Sequence, residues 1–372
     1  MKNYLITTLI IALFINSVLS QNMDTKHSHN AMIFKIKPSK KNPRNSEGDF
    51  IELRDGRILF IYSHFTSGDG DYASAYLAQR ISHDWGKTWG EERKTVANEG
   101  GLNTMSVSLL RLQSGEIALF YARKNSHKDC RPVMRISKDE AKTWSDPVDC
   151  IPETVGYFVL NNDRVIQLAN GRIILPVSLH ESPDTPWSDG GILQTYYSDD
   201  NGNSWYSGKI VANPDNVVLQ EPGMIVLEDN RIMMFIRTNA GVQYTAFSSD
   251  DGISWTAASA SNIPSPLSPA SIKRIPSSGD LLMAWNNNNG KIEAIKGKRT
   301  PFSIAISEDE GQTWKYVKNI EDNPDGWYCY TAIDFTGDHV LLGYCGGNRT
   351  ENNGLAETHI ARVNLDWIYS GE

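Results

Sequence analysis

One eight-residue pattern recurs five times in this chain and constrains its fold more than any other feature. The pattern, Ser-x-Asp-x-Gly-x-Thr/Ser-Trp, begins at Ser82, Ser137, Ser198, Ser248 and Ser307. Its Asp carboxylate can accept hydrogen bonds from nearby backbone amides, its Gly permits a positive φ, and its Trp supplies a large apolar surface. We call the pattern the octet and predict that each copy is a turn between two strands. The second copy departs from the pattern, with Ala141 at the glycine position.

A second repeat, out of phase with the octets, divides the chain into six units. Each unit has an alternating apolar run, a tight turn and a near-continuous apolar run, which is the pattern of a β-hairpin. The six turns fall at Gly56, Gly115, Gly171, Asn230, Gly279 and Gly337. In the first five units a third strand ends at the octet, and a more polar fourth strand follows. Four antiparallel strands in each of six units predict an all-β fold, a six-bladed β-propeller.

The sixth unit has no octet, so one end of the chain must supply a strand that closes the ring. Either the C-terminus or the residues just before Glu47 must complete this last blade. In such a meander the starts of the first strands, the ends of the second and the starts of the third share one face of the disc. The octets lie on the other face. We therefore predict that the octets are scaffold and that the opposite face carries any chemistry.

The first twenty residues have the layout of a secretory signal peptide. One Lys precedes an apolar run from about Tyr4 to Leu19, and small and polar residues follow. We predict a signal peptide over 1–20, a lead segment over 21–45 and the propeller over 46–372, in a secreted or periplasmic monomer. An uncleaved membrane anchor is the alternative, although the apolar run is shorter than the roughly 20 residues that span a bilayer.

The overall composition narrows the choice of partners. The formal net charge is −8 and the acidic residues are dispersed, so the chain lacks the basic surface that binds a phosphate backbone. We therefore predict no nucleic-acid partner. No cluster of His, Cys, Asp or Glu has the spacing of a metal site, and we predict no metal and no cofactor.

The four cysteines, Cys130, Cys150, Cys329 and Cys345, are an even number in a chain expected to mature in an oxidising compartment. The last two flank the predicted hairpin turn at Gly337 almost symmetrically. A disulfide between them is one interpretation. Two free, buried thiols are the other.

The face opposite the octets collects a set of polar and aromatic candidates for a site. They begin or end the inner strands, or precede the third strands, and converge on one central depression. The candidates are Glu47, His64, Asp69, Asp71, Arg123, Asn162, Asp163, Arg164, His180, Glu221, Arg237, Trp285, Arg299 and Tyr330.

With the octets and this polar face in view, the chain resembles the sialidase (neuraminidase) superfamily of propellers, whose recurrent turns are called Asp boxes. The likeness extends over essentially the whole chain after residue 20 and implies a six-bladed propeller with five Asp-box turns. It implies a nucleophilic Tyr at the start of the last inner strand, matched by Tyr330, and a Glu that activates it, matched by Glu221. It also implies two Arg residues that bind the substrate carboxylate, matched by Arg237 and Arg299.

The same resemblance implies an acid/base Asp in the loop before the first octet, where Asp69 and Asp71 are both candidates. It further implies a third Arg in a Phe/Tyr-Arg-Ile-Pro motif at the start of the first unit, and here the sequence departs from the family. Arg44 lies a few residues early, and Glu47 occupies roughly the expected position. The pattern therefore leaves the identity of the acidic sugar open.

These residue types suit the implied chemistry. A phenol has an ordinary pKa near 10 and needs a carboxylate base, but it avoids the repulsion of a carboxylate nucleophile by an anionic sugar. Paired Arg residues bind a carboxylate with fixed geometry. Two further residues, His64 and His180, would instead suit abstraction of a proton beside a carboxylate.

Three functions stay open on the sequence. The first is an exo-acting glycoside hydrolase of the sialidase type, acting on a terminal sialic or uronic acid of an oligosaccharide. The second is a lyase or dehydratase acting on uronate oligosaccharides from an algal polysaccharide such as ulvan, through His64, His180 or Tyr330. The third is a glycan-binding propeller without turnover.

Overall fold

A computed structural model describes residues 31–370, which fold almost entirely into β-strands. The predicted signal peptide at 1–20 lies outside the described residues. Within 31–370 no helix has the length and apolar content needed to cross a membrane. The chain is therefore all-β over the described range, as the repeats predict.

The strands follow one another in short hairpins. The first nine are β1 (Ala31–Ile36), β2 (Arg44–Glu52), β3 (Ile58–Phe65), β4 (Ala75–Ser82), β5 (Arg93–Val96), β6 (Asn103–Arg111), β7 (Ile117–Ser126), β8 (Asp129–Ser137) and β9 (Val148–Asp149). The next nine are β10 (Tyr157–Val159), β11 (Ile166–Gln167), β12 (Ile173–Glu181), β13 (Ile192–Ser198), β14 (Tyr206–Ser207), β15 (Leu219–Val226), β16 (Ile232–Thr238), β17 (Val242–Ser248) and β18 (Ser259–Pro264). The last seven are β19 (Ser271–Arg274), β20 (Leu281–Trp285), β21 (Phe302–Ser307), β22 (Lys315–Glu321), β23 (Gly326–Thr336), β24 (His339–Asn348) and β25 (Thr358–Asn364).

Helical structure is confined to short segments late in the chain. The 3₁₀ turns and the single α-helix of the described range are Glu293–Ile295, Arg349–Glu351 and α1 (Leu365–Tyr369). The helix α1 begins at Asn364, whose side chain accepts a hydrogen bond from the backbone amide of Trp367. This Asn is an ordinary N-cap.

The strands of the described range form five sheets, not six. Four sheets have four antiparallel strands each: β2-β3-β4-β5, β15-β16-β17-β18, β19-β20-β21-β22 and β1-β25-β24-β23. The second and third units merge into one nine-stranded sheet because β10 pairs with both β8 and β12, with Tyr157 opposite Cys130 and Glu181. At this junction the prediction of six separate sheets differs from the structure.

The last sheet is completed by the N-terminal side of the chain. Strand β1 pairs antiparallel with β25, with Ala31 opposite Val363 and Ile36 opposite Thr358. This strand lies within 21–45, the range predicted as a lead segment, so the folded unit begins before residue 46. Of the two ends considered, the residues before Glu47 therefore supply the outer strand of the last sheet.

Each octet is a turn held by hydrogen bonds between its own residues. In the first, the Asp84 carboxylate accepts hydrogen bonds from the Thr88 amide at 2.8 Å and the Thr88 hydroxyl at 2.6 Å. The Ser82 hydroxyl donates to Asp84 at 2.9 Å and accepts from the Gly86 amide at 2.8 Å. The other four octets repeat these bonds, and Ala141 keeps the left-handed conformation with φ 60°. The octets are turns between third and fourth strands, as predicted.

The innermost segments of five units share a different local feature, a residue with positive φ. These residues, which we call the bulge residues, are Glu47 (φ 53°), Ser106 (58°), Asp163 (54°), Glu221 (45°) and Tyr330 (57°). In β2, β6, β15 and β23 the register with the partner strand shifts at this point. A bulge re-aims the side chain that it contains and is frequent beside active sites.

Candidate active site

Tyr330 and Glu221, two bulge residues 109 positions apart in the chain, are hydrogen-bonded to each other. The phenol oxygen of Tyr330 donates to Glu221 Oε1 at 3.1 Å. Arg237, on β16 beside β15, donates to the other carboxylate oxygen at 2.6 Å. Both members of the first pair are largely enclosed, with Tyr330 9% exposed and the Glu221 side chain 12% exposed.

Arg299, in the segment between β20 and β21, lies against Tyr330, the nucleophile candidate. Its guanidinium carbon is 5.5 Å from the centre of the Tyr330 ring and 5.2 Å from that of Trp327. Arg349 lies against the same Trp327 ring, with its guanidinium carbon 4.1 Å from the ring centre. Neither Arg forms an ion pair with a carboxylate of the described residues. Two cations without a carboxylate partner favour an anion as the ligand.

A second group of charged side chains forms around Arg44. Arg44, buried at the start of β2, donates to Asp71 Oδ1 at 2.6 Å, to Glu47 Oε2 at 3.2 Å and to the Asp69 carbonyl at 3.0 Å. Lys124 donates to the Asp71 carbonyl at 2.8 Å. Of the two Asp candidates, Asp71 is therefore the one whose side chain joins the cluster, whereas Asp69 contributes only its carbonyl to the described contacts.

The environment separates the titration of these groups. Burial and the nearby Glu221 charge raise the pKa of Tyr330, although Arg299 and Arg237 oppose the shift. Burial also disfavours ionised Glu221, but the charge and hydrogen bond of Arg237 outweigh it, and the net pKa of Glu221 is lowered. An ionised Glu beside a protonated phenol is the arrangement that a base and its nucleophile require.

The two His candidates are occupied in other contacts. His64 Nδ1 lies 2.9 Å from Glu92, and its ring stacks on Tyr76 with 4.4 Å between centroids. His180 Nδ1 lies 2.8 Å from the Ser188 carbonyl, and Nε2 lies 3.1 Å from the Ser178 hydroxyl. A carbonyl can only accept, so His180 donates from Nδ1 and accepts from Ser178 at Nε2. Burial lowers the pKa of His180. Each ring nitrogen of His180 is therefore bonded within the protein.

Four other candidates do not join the central cluster as substrate-binding groups. Arg123 is turned toward a carboxylate of β9, Asp149, at 2.5 Å. The Asp163 carboxylate binds Lys273 at 2.8 Å and the Ile333 amide at 2.9 Å. The charges of both side chains are thus already matched within the fold, and their substrate-binding roles stay predictions.

The remaining two of these candidates are buried among the sheets. Arg164 donates to the Ser271 hydroxyl at 3.1 Å and to the Ala270 carbonyl at 2.8 Å. Trp285 packs in an apolar cluster, and its indole nitrogen donates to the Pro264 carbonyl at 3.1 Å. Asn162 likewise acts on the backbone, since its amide donates to the carbonyls of Gly48 and Tyr330. Their positions favour structural roles over the predicted substrate contacts.

Sequence reasoning missed Lys124 and Arg349 and undervalued Arg44. Lys124 follows Arg123 directly, and alternation along a strand sends neighbouring side chains to opposite sides. A count of residues from the turn could have found it. Arg349 belongs to a 3₁₀ turn after β24 that has no signal in the repeat. Arg44 lies early in the sequence because the bulge at Glu47 adds a residue to its strand.

A row of aromatic side chains lines the rim beside Asp71. The Lys124 ammonium lies 5.0 Å from the centre of the Tyr72 ring and 5.2 Å from that of Tyr157. Tyr157 in turn packs edge-on against Trp187 at 5.4 Å, and Trp187 stacks on His180 at 5.5 Å. Tyr72 and Trp187 are 40% and 49% exposed. Exposed rings next to a polar cluster are typical of sites that bind small ligands.

All four cysteines are free and buried. Cys329 and Cys345 face each other directly across the β23–β24 hairpin, as their spacing predicts. The structure therefore holds them as two thiols and not as a disulfide. Burial opposes ionisation of Cys329, but the Cys345 thiol and the Arg299 guanidinium outweigh it and lower the pKa of Cys329 to about 7.

Comparison with known proteins places this chain in a family. The model of the BNR repeat-like domain matches residues 77–342, which is more than half of the chain. The protein therefore belongs to the BNR-repeat family within the sialidase superfamily. The resemblance drawn from the octets is confirmed.

Curated relatives carry the name sialidase. One, from Micromonospora viridifaciens, is 27% identical over 343 residues, covering 81% of this chain and 50% of the relative. Another, from Clostridium perfringens, is 24% identical over 385 residues, covering 91% of this chain and 96% of the relative. The chain thus spans about half the length of the first relative and nearly all of the second.

Solved structures share the fold. The Hadza microbial sialidase Hz136 matches with a TM-score of 0.72 and 17% identity, covering 88% of this chain and 66% of the other. The intramolecular trans-sialidase of Ruminococcus gnavus matches with a TM-score of 0.70 and 16% identity, covering 91% and 98%. These likenesses confirm a β-propeller fold of the sialidase type.

Proposed function

We propose that this protein is an exo-acting glycoside hydrolase of the sialidase type, which releases a terminal acidic sugar from oligosaccharides, sialic acid before uronic acid. The observation that carries the proposal is the hydrogen bond between Tyr330 and Glu221, with Arg237 on the second Glu221 oxygen and Arg299 beside the phenol ring. The relatives named sialidases support the same reaction.

In this reaction Tyr330 attacks the anomeric carbon while its proton passes to Glu221. The positive charges of Arg237 and Arg299 stabilise the phenolate character that develops on Tyr330. The bond to the leaving sugar breaks, and the leaving oxygen takes a proton from a carboxylic acid. Water then cleaves the tyrosyl intermediate, and the configuration of the sugar is retained.

The acidic group of the sugar would be held by the cations around the nucleophile. Arg299 and Arg349 have no carboxylate partner among the described residues, so a substrate carboxylate would not have to displace one. Arg237 is already paired with Glu221, and Arg44 with Asp71 and Glu47. We therefore assign most of the carboxylate binding to the Arg299 side of the depression.

The elimination reaction is a weaker proposal because its bases are engaged. His180 uses both nitrogens within the protein, and His64 is paired with Glu92. A binding protein without turnover has no comparable need for an ionised Glu bonded to the phenol. The pairing of Tyr330 with Glu221 thus favours hydrolysis.

The finer architecture also belongs to this proposal. We propose a closed ring of six blades, supported by contacts of the inner strand β2 with both β6 and β23, and of β19 with both β15 and β23. We further propose export to the periplasm or beyond, supported by the signal-like sequence of residues 1–20.

The test is incubation of the purified protein with 3′-sialyllactose and, separately, with uronate oligosaccharides of algal polysaccharide. Mass spectrometry should detect free sialic acid and lactose in the first sample. A rise in near-ultraviolet absorbance in the second sample, without release of sialic acid in the first, would overturn hydrolysis in favour of elimination. Binding without any product in either sample would leave the glycan-binding function.

A further inference from the structure

We propose that Glu47 donates the proton to the leaving sugar, and not Asp69 or Asp71 of the loop before the first octet. The inference rests on the proposed hydrolase function and names one further catalytic residue for it. Glu47 is also the residue at which the sequence departs from the family pattern. The structure allows the two kinds of carboxyl, Glu47 and Asp71, to be compared directly.

The backbone position of Glu47 matches that of the two residues of the nucleophile pair. Glu47 occupies the same backbone site, a bulge with positive φ, as Glu221 and Tyr330. The amide of Asn162 donates to the Gly48 carbonyl at 2.9 Å and to the Tyr330 carbonyl at 3.0 Å, so it ties the two bulges together. Strands β2 and β23 are also in contact. The backbones of the Glu47 and Tyr330 bulges are therefore neighbours, and the Glu47 side chain is 7% exposed, against 12% for Glu221.

The second argument is the free oxygen of this carboxyl. Glu47 Oε2 accepts from Arg44 at 3.2 Å and from the Ser46 hydroxyl at 3.1 Å. Its Oε1 makes no hydrogen bond with a described residue. One oxygen is thus held in place while the other is available to carry the proton toward a substrate.

Asp71 has the opposite character. Its side chain is 57% exposed on a loop, and Oδ1 forms a 2.6 Å ion pair with Arg44. Although partial burial raises its pKa, the charge and hydrogen bond of Arg44, with Lys124 and Arg299 nearby, lower the pKa of Asp71 overall. A carboxylate held in its ionised form by an Arg is a poor proton donor at neutral pH.

Burial shifts Glu47 the other way. Desolvation raises its pKa, the negative charge of Asp71 adds to the rise, and Arg44, Ser46 and Lys124 oppose it without cancelling it. Two carboxyl groups that share one Arg but have divergent pKa values are the usual arrangement of an acid beside an ionised partner. Of the two carboxyl groups, Glu47 is the one whose pKa is raised.

The reaction proceeds in two halves, and Glu47 acts in both. Glu47 Oε1–H gives its proton to the glycosidic oxygen as the bond from that oxygen to the anomeric carbon breaks, while Tyr330 forms its bond to the same carbon and loses its proton to Glu221. In the second half, water attacks the anomeric carbon as the bond from that carbon to the Tyr330 oxygen breaks. The water gives a proton to ionised Glu47, and Glu221 returns its proton to the phenol oxygen.

The experiment compares Glu47→Gln and Asp71→Asn on two sialosides. In 3′-sialyllactose the leaving sugar needs a proton, whereas the nitrophenolate of a p-nitrophenyl sialoside leaves without one. Glu47→Gln should lose about 10²–10⁴-fold in kcat/KM on sialyllactose and less than about 10-fold on the nitrophenyl substrate. Asp71→Asn should lose similar factors on both. Glu92→Gln is the matched control, since the same change is made on a Glu that is bonded to His64 outside the cluster.

Two further readouts separate proton donation from a structural role. In the wild type, kcat/KM on sialyllactose should fall as the pH rises through the Glu47 pKa, because only the protonated acid acts, and Glu47→Gln should lack this limb. Added azide should raise turnover of the nitrophenyl substrate by Glu47→Gln and give sialyl azide. Circular dichroism confirms folding of each variant.

The outcomes are distinct. Dependence on the leaving group in Asp71→Asn but not in Glu47→Gln would overturn the inference in favour of Asp71. Equal losses on both substrates in Glu47→Gln, without azide rescue, would also overturn it and leave Glu47 a structural carboxyl. A wild-type protein that releases no sialic acid from either substrate would instead reject the proposed function itself, and the role of Glu47 with it.

Discussion

The five octets and the five bulge residues are two sets of repeated backbone features, and they differ in what is the same in every copy. In the octets both the backbone and the side chains repeat, and the Asp of each copy accepts the same bonds as Asp84. In the bulges only the backbone repeats, with φ between 45° and 58°. The side chains there are two Glu, one Ser, one Asp and one Tyr.

This difference separates scaffold from function within one architecture. Each octet closes its turn with hydrogen bonds between its own residues, and Glu140 and Glu310 also accept from the backbone amides of Arg54 and Glu228 in neighbouring units. At two bulges the side chain instead finds a partner on another unit: Tyr330 bonds to Glu221, and Asp163 bonds to Lys273. A repeated backbone that carries varied side chains gives one geometry to several chemical roles. Substitutions should therefore affect stability in one set and turnover in the other.

The largest effect is expected at the nucleophile. Tyr330→Phe removes the attacking oxygen and should lower kcat/KM for sialyllactose by at least about 10³-fold without unfolding the protein. Release of sialic acid measures the effect. Tyr328→Phe on the same strand is the control, because Tyr328 is buried in an apolar cluster. Equal losses in both variants would contradict the separation.

An octet should show the reverse. Asp84→Ala removes the acceptor for the amide and hydroxyl of Thr88 and for the Ser82 hydroxyl. We expect a loss of about 1–3 kcal/mol in the free energy of unfolding, measured by urea denaturation. The kcat of the folded fraction should stay unchanged. A fall in kcat at a temperature where the variant is fully folded would show that the octet does more than hold the fold.

The aromatic row beside Asp71 gives a smaller effect on one side of the comparison. Trp187→Ala should raise KM for sialyllactose about 3- to 10-fold, since an aromatic contact contributes about 0.5–1.5 kcal/mol. KM for a methyl sialoside, which has no leaving sugar to stack, should not change. Trp85→Ala, at an exposed Trp within an octet, is the matched control and should leave both values as they are.

The smallest effect concerns the one irregular octet. Ala141 adopts φ 60°, a conformation that costs an L-residue about 1 kcal/mol, so Ala141→Gly should stabilise the fold by about 0.5–1 kcal/mol. Thermal denaturation measures the gain. The reciprocal change, Gly311→Ala in the last octet, should destabilise, because its φ is 83° and a new Cβ would lie 3.3 Å from the Met233 methyl. Destabilisation by Ala141→Gly would mean that the Ala side chain contributes packing there.

Much of the architecture could be predicted because the same strand and turn pattern occurs several times in the sequence. Hairpin turns, octets and the order of strands all follow from alternation and turn residues. The merger of the second and third units could not be predicted, since it depends on the three-residue strand β10, whose pairing is set by tertiary contacts. Completion of the last sheet by β1 was one of two predicted options, because the sequence of residues 31–36 does not indicate which strand it pairs with.

Prediction of which residues lie together worked where a residue type has one chemical use, while the roles of these residues stay predictions. Tyr330, Glu221, Arg237 and Arg299 lie together as the resemblance implies. It failed at strand ends, where a shift of one residue sends a side chain to the opposite side, so that Lys124 and not Arg123 reaches the cluster. Bulges add such shifts, and no sequence pattern announces them.

The pairing of β1 with β25 has a consequence for how the protein is made. Strand β24 binds the Tyr330 strand on one side and β25 on the other, and β25 needs β1, which emerged from the ribosome more than three hundred residues earlier. The nucleophile's sheet is thus the last to be completed, and residues 31–36 must wait unpaired throughout synthesis. Such long-range closure makes folding slow, and the strand that carries the nucleophile candidate stays in an incomplete sheet until β25 has been made.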